Sequence, residues 1–382
     1  MLAWSHRVPD VSFAVILTRN ADRAAAALRS IAAQDVSHEL LLVLNDADDE
    51  MRQLAAGCAV RGARVLHDGA DIGVMLAYNL AIREARGRFV CTVHEDSVLS
   101  GGCAARLQAT MIERPEAAAV GPSVDTPHAT GVQANLVWRD GATSQVTIPP
   151  ELTDDVQAID YAGTHCLMMR REAAAAVGGF DTHFFPAIYG DVALCVAFWE
   201  AGWTVLCDRR AHNAHRTGAM VDAERGPRRG ARIRAFLLER NRARFVTKHA
   251  AWLAQQPVRV DRRSALSPGA EEVVCALGVA AARARGASGP PEVGRPTLAL
   301  PADPAASAAT WRRAFEDEFL DHLIDREITL RAEADGLHRA YAELHRELDQ
   351  VHRAYAELHR ELDRVHHAYA ELAARSAEVG SA

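Results

Sequence analysis

From Val11 onward, short continuous apolar runs alternate with segments of helical period. VSFAVIL, ELLLVLN, ARVLHDG and RFVCTVHED read as strands, and ADRAAAALRSIAA, MRQLAAGCAV and GVMLAYNLAIREA between them read as helices. Strands that are apolar throughout and alternate with helices predict an α/β domain, its mostly parallel sheet covered on both faces. Polar residues gather just past the strand ends, at Thr18-Arg19-Asn20, at Asp46 with Asp48, Asp49 and Glu50, and at His94-Glu95-Asp96. Open α/β sheets bind ligands at that edge. After about residue 120 the pattern loosens, then tightens at CLMMRREAAAAVGGFD and at the helix VALCVAFWEAGW. A basic helical stretch over 225–249 and a helix around 271–285 follow.

The C-terminal part has a different period. GASGPPEVGRPTLALPADPAA reads as a linker. A fourteen-residue repeat then runs LHRAYAELHRELDQV, VHRAYAELHRELDRV, VHHAYAELAARSAEV. Leu337, Leu344, Val351, Leu358, Val365 and Leu372 fall at heptad position d. Tyr341, Leu348, Tyr355, Leu362 and Tyr369 fall at a. Strict 3.5-residue spacing predicts a supercoiled helix, hence a coiled coil that makes the chain a homo-oligomer. The expected organisation is a catalytic domain over 1–250, a helix and Pro/Gly/Ala-rich linker over 251–310, and a coiled coil over 311–382.

Composition narrows the function. With 49% hydrophobic residues among 382, a sizeable core can be buried. The net charge of −7 gives no drive toward nucleic acid. The basic stretch lacks the aromatic interleaving of a nucleic-acid surface, so no nucleic-acid partner is expected. Seven cysteines without a C-x-x-C pair suit reduced thiols and a reducing compartment. MLAWSHRVPD lacks a basic region followed by a long apolar core, and the expected location is cytoplasmic.

Three segments could carry chemistry. Thr92-Val93-His94-Glu95-Asp96 ends a buried strand in two carboxylates and an imidazole, and hard oxygen ligands at a strand end suit Mg²⁺ or Mn²⁺ beside phosphate oxygens. Tyr189-Gly190-Asp191 opens an apolar helix, where the macrodipole favours a carboxylate. His212-Asn213-Ala214-His215-Arg216-Thr217-Gly218 is a polar loop able to supply one further ligand.

In order, VSFAVILTRN, LLVLND, DIGVMLAYNLAIREARGRFV, TVHED, GTHCLMMRREAAAAVGGFD, YGDVALCVAFWEAGW, HNAHRTG and ERNRARFVTKH resemble the inverting family 2 glycosyltransferases of the GT-A fold, particularly the rhamnosyltransferase-like members. The resemblance covers roughly residues 10–250. It implies a Rossmann-like GT-A domain using a nucleotide-diphospho-sugar donor, a divalent metal (Mg²⁺ or Mn²⁺), and a saccharide or lipid-linked acceptor. An acceptor on a lipid phosphate would bring the chain against the inner face of a membrane. Residue by residue, the resemblance implies Asp191 as catalytic base, and Asp96 and His215 at the metal. It places Thr18, Asn20, Asn45, Asp46, Gly73, Asn79 and Glu95 with the nucleotide sugar, and Gly179 and Asp181 with the acceptor. The chain departs from the family where His94 replaces the first aspartate of D-x-D, Gly190 replaces a glutamate and Ala193 an aspartate. These losses admit a rival expectation, a non-catalytic sugar-nucleotide-binding scaffold assembled by its coiled coil. A nucleotidyltransferase would want a Gly-rich loop after the first strand, and LTRNADR is not one.

Overall fold

The computed structural model describes residues 9–125, 133–147, 154–216, 227–258, 270–287, 289–292 and 298–379. Residues 225 and 226 of the basic stretch, with Thr217 and Gly218, lie outside them, as do the side chains of Val365, His366, Tyr369 and Leu372. The chain divides into two compact units, 1–316 and 317–382.

The first unit begins with β1 (Val11–Leu17), α1 (Ala21–Ala32), β2 (His38–Asn45), α2 (Asp49–Ala59), β3 (Arg64–Gly69), α3 (Val74–Glu84) and β4 (Phe89–His94). These strands lie in the order β3-β2-β1-β4, all parallel, as continuous apolar runs separated by helices require. Phe13, Leu41 and Val90 are fully buried. The acids after β2 divide their roles. Asp48 caps α2 by accepting from the Met51 amide at 2.9 Å, and Asp49 and Glu50 fill its first turn, where the macrodipole favours them. Only Asp46 remains at the strand end.

The second half is mixed. It comprises β5 (Ser97–Leu99), α4 (Cys103–Glu113), β6 (Ala117–Asp125), the hairpin β7 (Gln133–Val137) and β8 (Thr143–Thr147), β9 (Val156–Ala158), β10 (Cys166–Arg170), α5 (Arg171–Ala176), α6 (Gly190–Glu200) and β11 (Thr204–His215). β10 runs antiparallel to both β4 and β6, so the loop before it lies at the carboxyl end of β4. β11 runs parallel to β6, shifts register between Asp208 and His212, and then pairs antiparallel with β5 at His215↔Ser97. Such irregularities re-aim strand ends beside active sites. Here the end of β11 is delivered to the residues that follow β4.

Three helices complete this unit, α7 (Pro227–Lys248), α8 (Ala250–Leu253) and α9 (Ala270–Arg285), together with the first turns of α10 (Pro304–Val379). α9 packs on β7 and β9. Its Arg283 lies over the rings of Trp199 and Trp252, 3.6 Å from the buried Asp160 carboxylate. The fold is therefore an α/β domain, its sheet parallel in the first half and mixed in the second, with a long C-terminal helix. The second unit holds the remainder of α10.

Candidate active site

β1 lies between β2 and β4 in a parallel array, and the crevice beyond its carboxyl end is where such sheets take ligands. Two strand ends are tied together there. Glu95 accepts from the Thr18 amide at 2.8 Å and from the Thr18 hydroxyl at 2.5 Å. Burial drives the Glu95 carboxyl up to about 7 against those hydrogen bonds. Asn20 adopts a left-handed conformation and caps α1, its side chain accepting from the Arg23 amide. Asp46, also left-handed, is exposed and paired with Arg19 at 3.1 Å.

Asn45 turns toward the next loop. Its amide donates to Asp71 at 2.6 Å, and its carbonyl accepts from the Ile72 amide at 2.7 Å. Asp71 also accepts from the Gly73 amide at 2.8 Å. Gly73 is at φ 76°, and a Cβ there would lie 2.6 Å from the Phe185 ring, so both backbone and space demand glycine. Thr18, Asn45, Asp46 and Asp71 border a cavity of about 180 Å³. Asp71 is a site residue that sequence reasoning passed over, although an acid just past the third strand was a usable signal.

Two strand ends converge on a cluster of three candidate ligands. His94 ends β4, Asp96 follows it, and His215 ends β11. The His94 Nδ1, a carboxylate oxygen of Asp96 and the His215 Nε2 all lie within 4.8 Å of one another. His215 Nε2 is 3.3 Å from Asp96 Oδ1 and 3.4 Å from His94 Nδ1. The second nitrogen of His94 is 3.0 Å from the Thr164 hydroxyl, the kind of outer contact that orients a ligating imidazole. Burial, and then the neighbouring His215, lower His94 to about 4, which keeps it neutral and able to ligate. Burial pushes Asp96 up, but the hydrogen bond and charge of His215 outweigh it and hold the carboxyl below its ordinary value. His165 stacks on His215, with centroids 4.9 Å apart, and contacts Asn213 at 3.0 Å. Two imidazoles and one carboxylate at this spacing fit a divalent cation of the Mn²⁺ kind. Sequence reasoning put the His94 imidazole at this strand end but named only Asp96 and His215 as ligands; here its nitrogen joins the cluster.

Asp191 lies across Thr164 from this cluster. It sits in the first turn of α6, after a left-handed Tyr189, and takes the Val192 amide at 2.9 Å. The Thr164 amide also donates to it. Burial nonetheless raises its carboxyl. The phenol of Tyr78 is pushed up first by burial and then by Asp96, Glu95 and Asp191, so the three carboxylates share one neighbourhood. A Cβ at Gly190 would collide with Met75, whose Sδ would be 3.1 Å away. Met75 thus fills the space that a side chain at position 190 would enter.

Two residues expected at the donor and acceptor, Asn79 and Asp181, have partners within the chain. Asn79 is buried, its amide donating to the Phe180 carbonyl and accepting from the Phe180 amide, both at 2.7 Å, with Gly179 packed against it. Asp181 caps the turn Thr182–Phe184 and pairs with Lys248 at 2.7 Å, which outweighs burial and lowers its carboxyl. Asn241 ties the 184–188 segment to α7, donating at 2.8 Å to the carbonyls of both Ala187 and Ile188.

Residues 13–178 match the family model described as glycosyl transferase family 2, which supports a family 2 glycosyltransferase domain there. Among curated proteins, an uncharacterized protein, y4gI, of Sinorhizobium fredii is 26% identical over 187 residues, covering 46% of this chain and 20% of that protein. The chain thus spans a fifth of the length of that relative. Among solved structures, GalNAc-T7 with UDP, GalNAc and Mn²⁺ aligns at TM-score 0.49 and 11% identity, over 55% of this chain and 44% of that one. The mannosyltransferase PcManGT from Pyrobaculum calidifontis, in complex with GDP-Man and Mn²⁺, aligns at TM-score 0.46 and 18% identity, over 81% of each chain.

Proposed function

We propose that this chain is an inverting glycosyltransferase that moves a sugar from a nucleotide-diphospho-sugar to a hydroxyl of a saccharide or lipid-linked acceptor. The observation that carries this reading is the opposite setting of two carboxylates on either side of Thr164. Asp96 is held below its ordinary range among imidazoles, and Asp191 is raised by burial. Carboxylates driven apart in this way divide into a charge-holding and a proton-moving role.

His94, Asp96 and His215 would hold the cation, and the two imidazoles favour Mn²⁺ over Mg²⁺. When bound, it supplies Lewis-acid stabilisation of the diphosphate leaving group. Thr164 fixes the His94 ring through its hydroxyl and Asp191 through its amide, so one residue sets the spacing of the two sides. As the acceptor oxygen bonds to the anomeric carbon, the bond from that carbon to the diphosphate oxygen breaks. The acceptor proton passes to Asp191, and attack from the face opposite the leaving group inverts the carbon. A raised pKa makes Asp191 a better proton acceptor than an exposed carboxylate. Asn45, Asp46 and Thr18 border the nucleoside end of the donor, Gly73 keeps that border open, and Glu95 braces Thr18. The heptad face of the tail makes the chain a homo-oligomer, and a lipid-linked acceptor brings the domain to a membrane surface. No helix among the described residues is long and apolar enough to cross a membrane.

A thermal-shift panel of nucleotide sugars, with and without Mn²⁺, tests the reading. At least one nucleotide sugar should raise the melting temperature only with Mn²⁺ present. No response to any of them would refute it.

A further inference from the structure

The cavity beside Asp71 has a second wall that arrives from far along the chain. Opposite Thr18, Asn45 and Asp71 stand Phe185 and the first turns of α10, which contribute Arg312, Phe315 and Glu316. Arg312 is 241 residues from Asp71 in sequence, yet its Nη2 donates to the Asp71 carbonyl at 2.8 Å and pairs with its carboxylate at 2.7 Å. Neighbouring contacts hold this segment independently. Trp311 packs on Phe185 at 6.0 Å between centroids, and Phe315 packs on Phe236 at 5.9 Å beneath the Arg240 guanidinium.

The volume and lining narrow what can enter. About 180 Å³ is below the ~300–1,000 Å³ of pockets that enclose a whole ligand, so it suits one ring system of a larger molecule. Phe185 and Phe315 offer apolar faces, while Asp71, Arg312 and Glu316 offer a polar edge. A heterocyclic base has that same division between its faces and its edge. On the strand side the hydrogen-bonding capacity is largely committed, because Asn45 spends its amide on Asp71 and Ile72. Arg312 spends a single nitrogen, Nη2, on both of its Asp71 contacts. A guanidinium carries five N–H donors in a fixed plane, so the other two nitrogens remain to meet an acceptor on a ligand.

We infer that the start of α10 belongs to the donor site, with Arg312 a nucleoside-contacting residue that the N-terminal domain cannot supply for itself. This rests on the donor-site reading above. Donor affinity in this protein then depends on a residue in the helix that continues as the heptad tail.

Calorimetry on the full chain with Mn²⁺, titrating a set of nucleoside diphosphates and, separately, inorganic pyrophosphate, tests the inference. Pyrophosphate lacks the part that enters the cavity. Arg312→Ala should therefore weaken the best nucleoside diphosphate about tenfold or more, the usual scale for a lost charge-assisted hydrogen bond, and leave pyrophosphate unchanged. Arg312→Lys, which keeps the charge but not the fork, should fall between wild type and Arg312→Ala. Unchanged or tighter nucleoside-diphosphate binding in Arg312→Ala would overturn the inference and leave the donor reading standing. Equal weakening of both ligands would reduce Arg312 to a structural tether, and overturns it too. Wild-type protein that binds neither ligand would instead defeat the donor reading, and the inference with it.

Discussion

Phe13, Leu41 and Val90 in the sheet are 0% exposed, whereas Leu337, Tyr341, Leu344, Val351, Tyr355 and Leu358 on the tail are 62–72% exposed. Both regions carry regular apolar patterns, of period suited to strand and helix in one and to a heptad in the other. In the domain the central strands β1, β2 and β4 find their cover within the same chain, so apolar burial supplies stability and the polar strand ends are left for chemistry. In the tail the apolar seam has no such cover among the described residues of its own unit. Its information therefore lies in the apolar positions themselves, and a second copy of the same heptads is what a strict seam fits.

The sharpest test of the domain side is Asp191→Asn, which keeps the shape and removes the proton acceptor. Sugar transfer should fall by about 10²-fold or more while donor affinity in calorimetry stays within error. The same residue gives a pH signature. Below its folded pKa Asp191 is protonated and cannot act, so kcat/KM falls on the acid side. Because burial raises that pKa, the acid limb should lie above the ordinary aspartate value of about 3.9. A variant that turns over like wild type, or an acid limb at or below that value, removes Asp191 from the chemistry.

On the tail side, Leu344→Asp with Leu358→Asp places a charge at two d positions. Each leucine gains roughly 1.5–3 kcal/mol on full burial, so the pair should convert an oligomer to a monomer in sedimentation without lowering donor affinity. A monomeric wild-type chain would break the comparison at its root. Next in size is Gly190→Ala. Its Cβ meets Met75 in a filled core, and overpacking of that kind costs about 1–3 kcal/mol, read as a lower melting temperature. Met75→Ala in the same chain should restore much of that loss. The smallest expected effect is a change of metal preference. Replacing the His94 nitrogen by an oxygen in His94→Asp should narrow the advantage of Mn²⁺ over Mg²⁺, followed by competition of Mg²⁺ against the Mn²⁺ paramagnetic-resonance signal. An unaltered ratio would take His94 out of the ligand set.

The alternation of apolar runs and helical periods determined the α/β class, and the polar residues that follow β1, β2 and β4 marked their carboxyl ends as the edge open to a ligand. That was possible because burial on both faces of a parallel strand leaves a local imprint in the sequence. The heptad spacing was legible as well, because its period is a local property of the sequence. The residue types of Asp96, Asp191 and His215 were legible too, but not their neighbours. His94 stood out as an imidazole where an acid is usual, but not as a ligand, and Gly190 as a missing glutamate. That one nitrogen sits within reach of Asp96 and His215, and that Met75 fills the space beside position 190, depends on strands and helices distant in sequence. Asn79 and Asp181 show the converse. Their types suit a sugar site, yet packing engages one with Phe180 and the other with Lys248 and the turn at His183. Arg312 left no local signal at all, since nothing near it in sequence refers to Asp71. Sequence records the periods that a backbone must satisfy locally; only the tertiary structure decides which side chains from separate elements share a cavity, because that depends on the closure of long loops and on packing that no single segment encodes.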